Sequence, residues 1–250
     1  MKNHLKEKLR SGATAIGCWV GLNSPAVTEV LAGAGYDALL IDYEHGEGTV
    51  ADLVHHLRAA QGSETTILVR VPNDNPHEIK RALDSGAGGI MVPGVETAEQ
   101  AQAIVDVCRY PPDGVRGAAG FIRGARYGRA WQDYLATAND AVMVLCQIES
   151  RTAVERIAEI AVPGVDSLFL GPMDLSGSIG KLGQFDDPAV QALRADAERA
   201  ILATDAILGT IETAPGGFDR LAAKGYRLIF ATSDVALLRG APTGSKKQEG

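Results

Sequence analysis

Short apolar runs alternate with amphipathic segments along the whole chain. Eight of these runs are nearly unbroken and rich in β-branched residues: TAIGCWVGL, DALLIDYEH, TTILVRVP, GGIMVPGV, AVMVLCQIE, DSLFLGP, AILGTIE and YRLIFAT. Such runs are typical of parallel strands that are buried on both faces of a sheet. They predict eight strands in one parallel sheet.

Helical patterns with clear start and stop signals occupy the intervals between the apolar runs. In NSPAVTEVLAGAG a serine can cap the helix, a proline takes its first position and a glycine lies near its end. The same plan recurs in NPHEIKRALDSG, TAEQAQAIVDVCRY, RTAVERIAEIAV, DPAVQALRADAERAILA and GGFDRLAAKG. About eight strand–helix units in 250 residues favour a (β/α)8 barrel. An open dinucleotide-binding sheet is disfavoured, because no GxGxxG motif follows the first run.

The domain organisation follows from the same pattern. Residues 1–240 are expected to form one barrel domain, and the polar, glycine- and proline-containing tail 241–250 is expected to be disordered. The helix after the eighth run is expected to be unusually short.

One segment breaks the alternation. Residues 111–140 separate a predicted helix from the fifth apolar run, and so long a connection in a compact domain is usually functional or disordered. The segment contains several glycines and the arginines Arg116, Arg123, Arg126 and Arg129. Two interpretations remain open: it arranges positive charge around an anion, or it forms a solvent-exposed lid or a subunit contact.

The composition narrows the classes of partner. The chain is 46% hydrophobic and carries a net charge of −7 without a block of basic residues, so nucleic acid and anionic membranes are not expected partners. No apolar stretch approaches the roughly 20 residues of a membrane helix, and the charged N-terminus MKNHLKEKLRSG lacks an apolar signal region. The three cysteines, Cys18, Cys108 and Cys146, lack metal-type spacing and predict reduced core thiols in a cytoplasmic protein.

Polar and titratable side chains follow several of the apolar runs. In a (β/α)8 barrel, the carboxyl ends of the strands and the loops after them form the active-site rim. The opposite strand ends carry nothing comparable in the sequence, so one polar rim is predicted. Its members in chain order are Trp19, Asp42, Glu44, His45, Arg70, Gln147, Glu149 and Asp174.

Glu149 and Asp174 follow adjacent strands at similar height. Two carboxylates at an open site suit Mg²⁺ or a similar hard cation, with substrate and water completing the coordination. Zinc is not expected, because His45 is the only histidine at this rim. The alternative is that the two carboxylates cap helices or form ion pairs.

Three further rim residues are candidates for chemistry. Arg70 is expected to point into the barrel mouth, where a guanidinium can stabilise an enolate, or to form an ion pair with Asp42. Imidazoles titrate near neutrality, so His45 suits proton transfer, although lone histidines are commonly structural. Gln147 shares the inward face of Glu149 and can hold a substrate carboxylate or carbonyl group.

The lysines exclude one class of aldolase. A Schiff-base mechanism requires a lysine at a strand end inside the barrel. The lysines here lie in the N-terminal segment, at Lys80, Lys181 and Lys224, and in the tail, and none has that position. Carbon–carbon bond chemistry on this barrel is therefore expected to depend on a metal ion, without a Schiff base or a nucleotide cofactor.

Five motifs in order along successive strands carry a family resemblance: LLIDYEHG, LVRVP, YPPDGVRG, CQIES and LFLGPMDLS. They resemble the HpcH/HpaI family of class II, metal-dependent pyruvate aldolases over most of the chain, from about Gly17 to Asp234. The resemblance implies a (β/α)8 barrel of the pyruvate/phosphoenolpyruvate type. It also implies reversible cleavage of 4-hydroxy-2-oxo acids to pyruvate and an aldehyde through a metal-stabilised enolate. The implied assembly is a homo-hexamer, a trimer of dimers, with the last helix exchanged between subunits.

The resemblance also assigns roles to residues. Glu149 and Asp174 would hold Mg²⁺, Mn²⁺ or Co²⁺, while Arg70, oriented by Asp42 and Glu44, would stabilise the enolate oxygen. The substrate would contact Trp19, Gln147 and the backbone of Gly171, Pro172 and Met173. The last of these replaces the small residue expected there, which alters the shape of the pocket.

The same resemblance implies a proton-transfer pair. His45 would act as acid or base through a metal-bound water, and Asp84 would raise the basicity of this histidine. Because Asp84 ends a predicted helix, its contact with His45 is expected to require a neighbouring subunit.

Two other functions remain open at the level of the sequence. A CoA-thioester lyase of the malyl-CoA or citryl-CoA type shares the barrel, Mg²⁺ and the paired carboxylates, and would use the arginines of residues 116–129 for the nucleotide. A barrel that binds a small oxo acid without turnover is the second. For an aldolase, succinic semialdehyde, tartronate semialdehyde and lactaldehyde are all candidate aldehydes, and the arginine-rich segment favours an acidic or hydroxylated one.

Overall fold

Eight parallel strands close into a barrel in sequence order. The computed structural model describes residues 1–212 and 216–240, so the tail 241–250, expected to be disordered, lies outside the described residues. The strands are β1 Ala15–Val20, β2 Ala38–Asp42, β3 Thr66–Arg70, β4 Gly89–Val92, β5 Met143–Ile148, β6 Ser167–Leu170, β7 Ile207–Ile211 and β8 Leu228–Ser233. Pairing of β8 with β1 completes the ring. The predicted (β/α)8 barrel is confirmed.

Helices lie between the strands and surround them. Their bounds are α1 His4–Arg10, α2 Pro25–Gly33, α3 Leu53–Ala59, α4 Pro76–Ser85, α5 Ala98–Cys108, α6 Trp131–Ala141, α7 Arg151–Glu155, α8 Ile157–Ile160, α9 Pro172–Gly177, α10 Pro188–Leu202, α11 Phe218–Ala223 and α12 Asp234–Arg239. Ser24 caps α2 as predicted, because its side chain accepts the N–H of Val27. The single helix predicted from RTAVERIAEIAV is two helices, α7 and α8, which meet at Arg156.

Several helices differ from the sequence prediction in extent or were not predicted. The sequence patterns did not identify α3, α6 or α9. The segment 111–140 is not a single loop, since it contains a 3₁₀ helix, Arg123–Ala125, and most of α6. As expected, the helix after the last strand, α12, has only 6 residues.

Two hydrophobic layers hold the barrel together. The larger layer lies between the strands and the surrounding helices. The interior of the barrel is filled by a second cluster, to which α1 contributes Leu5 and Leu9, so this helix closes the amino end. The other members of the interior cluster are Ala15, Trp19, Ala38, Leu40, Leu68, Met91, Met143, Leu145, Phe169, Leu228 and Phe230.

Polar groups gather at the amino ends of the strands as well, so the prediction of a single polar rim was wrong. Lys6 and Asp166 form an ion pair at 2.8 Å, with side chains only 5% and 18% exposed. Lys8 contacts Asp37 at 2.8 Å. The physical reason is that α1 crosses the amino end of the barrel and brings its lysines to carboxylates that precede β2 and β6.

The arginine-rich segment also lies at the amino end, because it connects the end of α5 to the start of β5. The side chain of Arg116 is fully buried and donates to Asp84 at 2.8 Å and to the hydroxyl of Tyr134 at 3.0 Å. Arg123 donates to the carbonyl of Ser85 at 2.8 Å. Within one chain, these arginines therefore do not reach the barrel mouth.

The cysteines have the environment that the sequence predicts. Cys18, Cys108 and Cys146 are buried and free. Burial raises the pKa of each thiol to about 12, so they are poor nucleophiles. Across residues 1–212 and 216–240, no helix combines the length and the apolar character needed to cross a membrane.

Candidate active site

A cavity of about 460 Å³ opens at the carboxyl ends of the strands, and we call it the mouth cavity. Eight of the predicted site residues line it: Trp19, His45, Arg70, Gln147, Gly171, Pro172, Met173 and Asp174. A larger surface cavity of about 750 Å³ lies beside α1 and α2. Its Lys8 and Asp37 already neutralise each other, so the mouth cavity is the better candidate for chemistry.

Four residues that line the mouth cavity were missed by the sequence analysis: Phe169, Phe185, Ile211 and Glu212. Ile211 ends β7 and Glu212 follows it, so the strand-end rule applied to the seventh run would have found both. Phe169 lies on β6 two residues before Gly171, and alternate residues of a strand share one face. This alternation would have predicted that Phe169 points into the barrel. Phe185 belongs to the connection between α9 and α10, and nothing in the local sequence indicates its position.

Arg70 is held in a fixed orientation by two carboxylates. Neighbouring strands place it beside Asp42 in the register of β2 and β3. Its Nε and Nη2 donate to the two oxygens of Asp42 at 2.8 and 2.6 Å, and its Nη1 lies 2.6 Å from Glu44 Oε2. The indole N–H of Trp19 donates to Asp42 at 3.0 Å, and the guanidinium carbon lies 4.7 Å from the centre of the Trp19 ring. Arg70 thus both lines the mouth and pairs with Asp42.

The pKa values of the two carboxylates beside Arg70 are shifted in opposite directions. Burial alone would raise the pKa of Asp42, but the hydrogen bonds and charge of Arg70 outweigh it and hold this pKa below its usual value. For Glu44, burial outweighs the attraction of Arg70 and raises the pKa. Asp42 is therefore the firm partner of the guanidinium, and Glu44 is the more easily protonated of the two.

Glu149 is held by a backbone amide and a side-chain amide. Its Oε1 accepts the N–H of Gly94 at 2.7 Å, and its Oε2 accepts from Gln147 Nε2 at 2.9 Å. A Cβ atom on residue 171 would lie 2.8 Å from Glu149 Oε2 and 3.1 Å from Gln147 Nε2. Only glycine at this position leaves the pair undisturbed.

The charge at Glu149 is incompletely balanced. Burial raises its pKa to about 7, the Gly94 hydrogen bond opposes that rise, and the carboxylates of Asp174 and Glu44 add to it. Gln147 Oε1 is buried and has no hydrogen-bond partner among the described residues. A cation at this point would relieve the repulsion between the carboxylates.

The donor set fits a hard divalent cation. Glu149 and Asp174 offer carboxylate oxygens and Gln147 offers an amide oxygen, the ligand types that Mg²⁺ and Mn²⁺ prefer. Within the described part of the chain, no three His, Cys, Asp or Glu side chains cluster as a metal cage. The residues would thus form an incomplete coordination sphere with positions left for substrate and water.

His45 and Asp84 lie at opposite ends of the barrel in one chain. The side chain of His45 is 70% exposed, 3.9 Å from Glu44 Oε1, on a loop whose Glu47 N–H donates to the Gly21 carbonyl at 2.8 Å. Asp84 lies in the last turn of α4, where it is bound by Arg116. One chain therefore does not bring the predicted proton-transfer pair together.

The fold and the site together define a (β/α)8 enzyme whose mouth combines oxygen donors for a divalent cation with an arginine suited to an oxyanion. Residues 15–241 match the family described as HpcH/HpaI aldolase/citrate lyase. The chain belongs to this family, as the motifs predict, and is accordingly an enzyme of the aldolase and lyase class. Members of the family generally depend on a divalent metal ion.

Individual relatives agree with this assignment. The chain is 46% identical over 204 residues, 81% of its length and 77% of the relative's, to a 4-hydroxy-2-oxovalerate aldolase of Novosphingobium aromaticivorans. It is 41% identical to a 2-dehydro-3,6-dideoxy-6-sulfogluconate aldolase of Pseudomonas putida, with 92% and 90% of the two chains covered. A crystal structure of an HpcH/HpaI aldolase/citrate lyase family protein from Burkholderia cenocepacia superimposes with a TM-score of 0.91 at 39% identity, covering 95% of each chain.

Proposed function

We propose that this chain is a divalent-metal-dependent pyruvate aldolase, which reversibly cleaves 4-hydroxy-2-oxo acids to pyruvate and an aldehyde. The observation that carries the proposal is the presence of two groups at the carboxyl ends of the strands, where Arg70 and Gln147 line the same cavity. One is Arg70 held by Asp42 and Glu44, and the other is the Gln147–Glu149 pair with its unbalanced charge. The aldolases named among the relatives support the same reaction class.

Glu149 and Asp174 would hold the cation, which can be Mg²⁺, Mn²⁺ or Co²⁺. When bound, this ion supplies the Lewis acidity that lowers the energy of an enolate. Gln147 and the backbone from Gly171 to Met173 line the same wall of the cavity and would bind the carboxylate of the substrate. Trp19 and Phe169 form the apolar floor, which limits the access of water to the reacting carbon.

Arg70 would stabilise the charge that develops during cleavage. Breaking the C3–C4 bond leaves the bonding electron pair on the pyruvate fragment, where it is delocalised onto the keto oxygen. A guanidinium that already makes three contacts at 2.6 to 2.8 Å does not have to reorganise when this charge appears. The rigid placement of Arg70 is therefore its main contribution.

His45 would transfer the protons. In the cleavage direction the 4-hydroxyl loses its proton as the C3–C4 bond breaks, and C3 gains a proton to become the methyl group of pyruvate. An exposed imidazole beside the cavity can exchange protons with both substrate and solvent. Asp84 of another copy of the chain would orient it.

Exchange of the pyruvate methyl protons in heavy water, followed by NMR, tests enolate formation without knowledge of the aldehyde. The expected result is exchange that requires Mg²⁺, Mn²⁺ or Co²⁺, stops with a chelator and is lost in His45→Ala. Absence of exchange with every metal would contradict the aldolase proposal. A rise in melting temperature with acetyl-CoA would then favour the CoA-thioester lyase, whereas metal and pyruvate binding alone would favour a non-catalytic barrel.

We also propose that the active form is an oligomer, a hexamer built as a trimer of dimers. The separation of His45 from Asp84 within one chain supports this, and so do the exposed Val235, Leu237 and Leu238 on α12. Mixing inactive His45→Ala and Asp84→Ala chains tests the arrangement, because sites assembled from two copies regain both residues. Recovered exchange supports a shared site, and full activity of Asp84→Ala alone would exclude a role for Asp84.

A further inference from the structure

His45 lies on a connection whose position depends on a second loop. Its side chain is 70% exposed, and between β2 and α3 the described residues form turns and bends. The N–H groups of Glu44 and His45 donate to Asp42 Oδ1 at 3.0 and 3.4 Å. Further along, the connection contacts residues 21–24, which join β1 to α2 and which we call the bracing loop.

The backbone that follows His45 lies directly against the bracing loop. The N–H of Glu47 donates to the Gly21 carbonyl at 2.8 Å. A Cβ atom on Gly46 would lie 3.1 Å from the Gly21 Cα, and a Cβ atom on Gly48 would overlap the Asn23 side chain. The two glycines therefore permit a close approach, and Asn23 limits where this backbone can lie.

Asn23 is held by a buried histidine. Its φ of 48° lies in the left-handed region, which asparagine adopts more readily than most residues. Its Oδ1 lies 2.9 Å from His56 Nε2, and His56 Nδ1 lies 2.7 Å from Thr28 Oγ1. An amide oxygen only accepts, so Nε2 carries the proton and the Thr28 hydroxyl donates to Nδ1. Because His56 and Thr28 are both 0% exposed, these hydrogen bonds fix the orientation of the Asn23 amide.

A buried carboxylate holds the other part of the bracing loop. The two oxygens of Asp234 accept the N–H groups of Gly21 and Leu22 at 3.1 and 3.0 Å. The bracing loop is thus fixed by Asp234 from α12 and by His56 from α3. The described residues that line the mouth cavity include neither of them, nor Asn23. An effect of these residues on the reaction would therefore pass through the connection that carries His45.

We infer that Asn23 is a positioning residue for proton transfer by His45, and that His56 holds the Asn23 side chain in the orientation this requires. The inference rests on the proposed aldolase function. With Asn23 in place, the backbone at 46–48 is confined, which keeps the exposed imidazole beside the mouth cavity. Without the Asn23 side chain a space opens behind Gly48, and the imidazole spends less time within reach of the proton that it transfers.

The kinetics of pyruvate methyl exchange separate positioning from substrate binding. Asn23→Gly removes the side chain and tolerates the left-handed backbone. In this variant kcat for exchange is expected to fall about tenfold, while KM for pyruvate stays within about twofold of the wild type. The rise in melting temperature with Mg²⁺ is expected to persist, because Glu149 and Asp174 follow other strands.

Two further variants test the hydrogen bond between Asn23 and His56. Asn23→Asp keeps an acceptor for His56 and a residue suited to the left-handed region, so kcat is expected to stay within about threefold of the wild type. His56→Phe keeps a ring but removes the donor to Asn23, and it is expected to lower kcat without raising KM. Asn23→Gly tests the inference even where His56→Phe does not fold.

Asn75→Gly is the matched control at the same end of the barrel. Asn75 caps α4, where its side chain accepts the N–H of His77 at 2.9 Å, and it lies outside the lining of the mouth cavity. This variant removes the same side chain at little cost to the helix, and kcat and KM are expected to stay unchanged.

The outcomes distinguish the inference from the proposed function. Unchanged kcat in folded Asn23→Gly, a rise in KM in place of the fall in kcat, or an equal loss in Asn75→Gly would overturn the inference while wild-type exchange stands. A loss in Asn23→Asp as large as in Asn23→Gly would overturn the role of His56. Absence of exchange in the wild type would instead remove the aldolase proposal and this inference with it.

Discussion

The two ends of the barrel both hold buried charge, but they balance it differently. At the amino end, Lys6 contacts Asp166 at 2.8 Å and donates to the Val142 carbonyl at 2.9 Å, while Asp166 also accepts the Val144 N–H at 2.9 Å. At the mouth, Gln147 Oε1 has no partner among the described residues, and the pKa of Glu149 is raised to about 7. The Lys6–Asp166 pair balances its charges at the amino end, whereas Glu149 and Gln147 at the mouth are not balanced within the described residues.

Because of this difference, the buried charges at the amino end contribute to stability, whereas those at the mouth are available for chemistry. Burial lowers the pKa of Lys6 and Asp166 opposes that effect, so the pair is a structural contact whose partners depend on each other. The mouth keeps an unbalanced carboxylate and an open amide oxygen, which cost stability in the free protein and are available to a ligand. Substitutions at the two ends should therefore affect different measurements.

The largest effect is expected for Arg70→Ala. Loss of the preorganised guanidinium should reduce pyruvate methyl exchange by about 10³-fold, while Mg²⁺ still raises the melting temperature because Glu149 and Asp174 remain. Arg70→Lys is the control: it keeps the charge, but cannot make the paired contact with Asp42 and reach Glu44 as well. Unchanged exchange in the folded Arg70→Ala variant would remove Arg70 from the mechanism.

The next largest effect is expected at the amino end. Lys6→Ala leaves Asp166 with an uncompensated buried charge, so the free energy of unfolding in urea should fall by about 3–5 kcal/mol. The rate of pyruvate methyl exchange per folded molecule should not change. Lys8→Ala is the matched control on the same helix: the Lys8 side chain is 39% exposed in its pair with Asp37, and a loss of under about 1 kcal/mol is expected. Equal losses in the two variants would show that burial does not distinguish these pairs.

A third effect concerns the metal. Mg²⁺ or Mn²⁺ at about 100 times its Kd should raise the free energy of unfolding by about 2.7 kcal/mol, seen as a higher melting temperature that a chelator reverses. Glu149→Gln should abolish this response, and Glu155→Gln, at an exposed position on the neighbouring α7, should retain it. A full response in Glu149→Gln would place the cation elsewhere.

The smallest effect is a dependence of stability on pH from His56. This buried histidine contacts Thr28 Oγ1 at 2.7 Å and Asn23 Oδ1 at 2.9 Å, and burial lowers its pKa below the ordinary 6.5. The unfolded chain then binds the extra proton first, so stability should fall as the pH drops below 6.5, by up to about 1.4 kcal/mol per unit.

His56→Gln should flatten this acid limb of the urea-unfolding profile, whereas His77→Gln, at an exposed position on α4, should leave it unchanged. An identical pH profile in the wild type and His56→Gln would rule out His56 as the titrating group.

The local sequence pattern predicted the structure correctly where a structural rule links that pattern to a position in the fold. The apolar runs identified all eight strands, and the strand-end rule brought Arg70, Gln147 and Asp174 to one cavity. The contact between Lys6 and Asp166 joins residues 160 positions apart, and it depends on α1 crossing beneath the barrel. Neither residue carries a local signal for that contact.

The arginine-rich segment shows a different reason for an incomplete prediction. Its position between a helix and the following strand was visible in the sequence, and chain direction alone assigns such connections to the amino end. Its charge and length indicate a functional role but do not indicate which end of the barrel it occupies. Phe185 is a separate case, because its approach to the mouth depends on the path of a long connection after α9.

The absence of one carbon atom at Gly171 has an evolutionary consequence. A methyl group there would lie 2.8 Å from Glu149 Oε2, 3.1 Å from Gln147 Nε2 and 3.2 Å from Glu149 Cβ, so its nearest contacts are side-chain atoms of these two residues. A single replacement by alanine could thus leave a folded barrel while displacing the carboxylate that the cation would need. In a duplicated gene, this position offers a one-step path from a catalyst to a binding protein of the same shape.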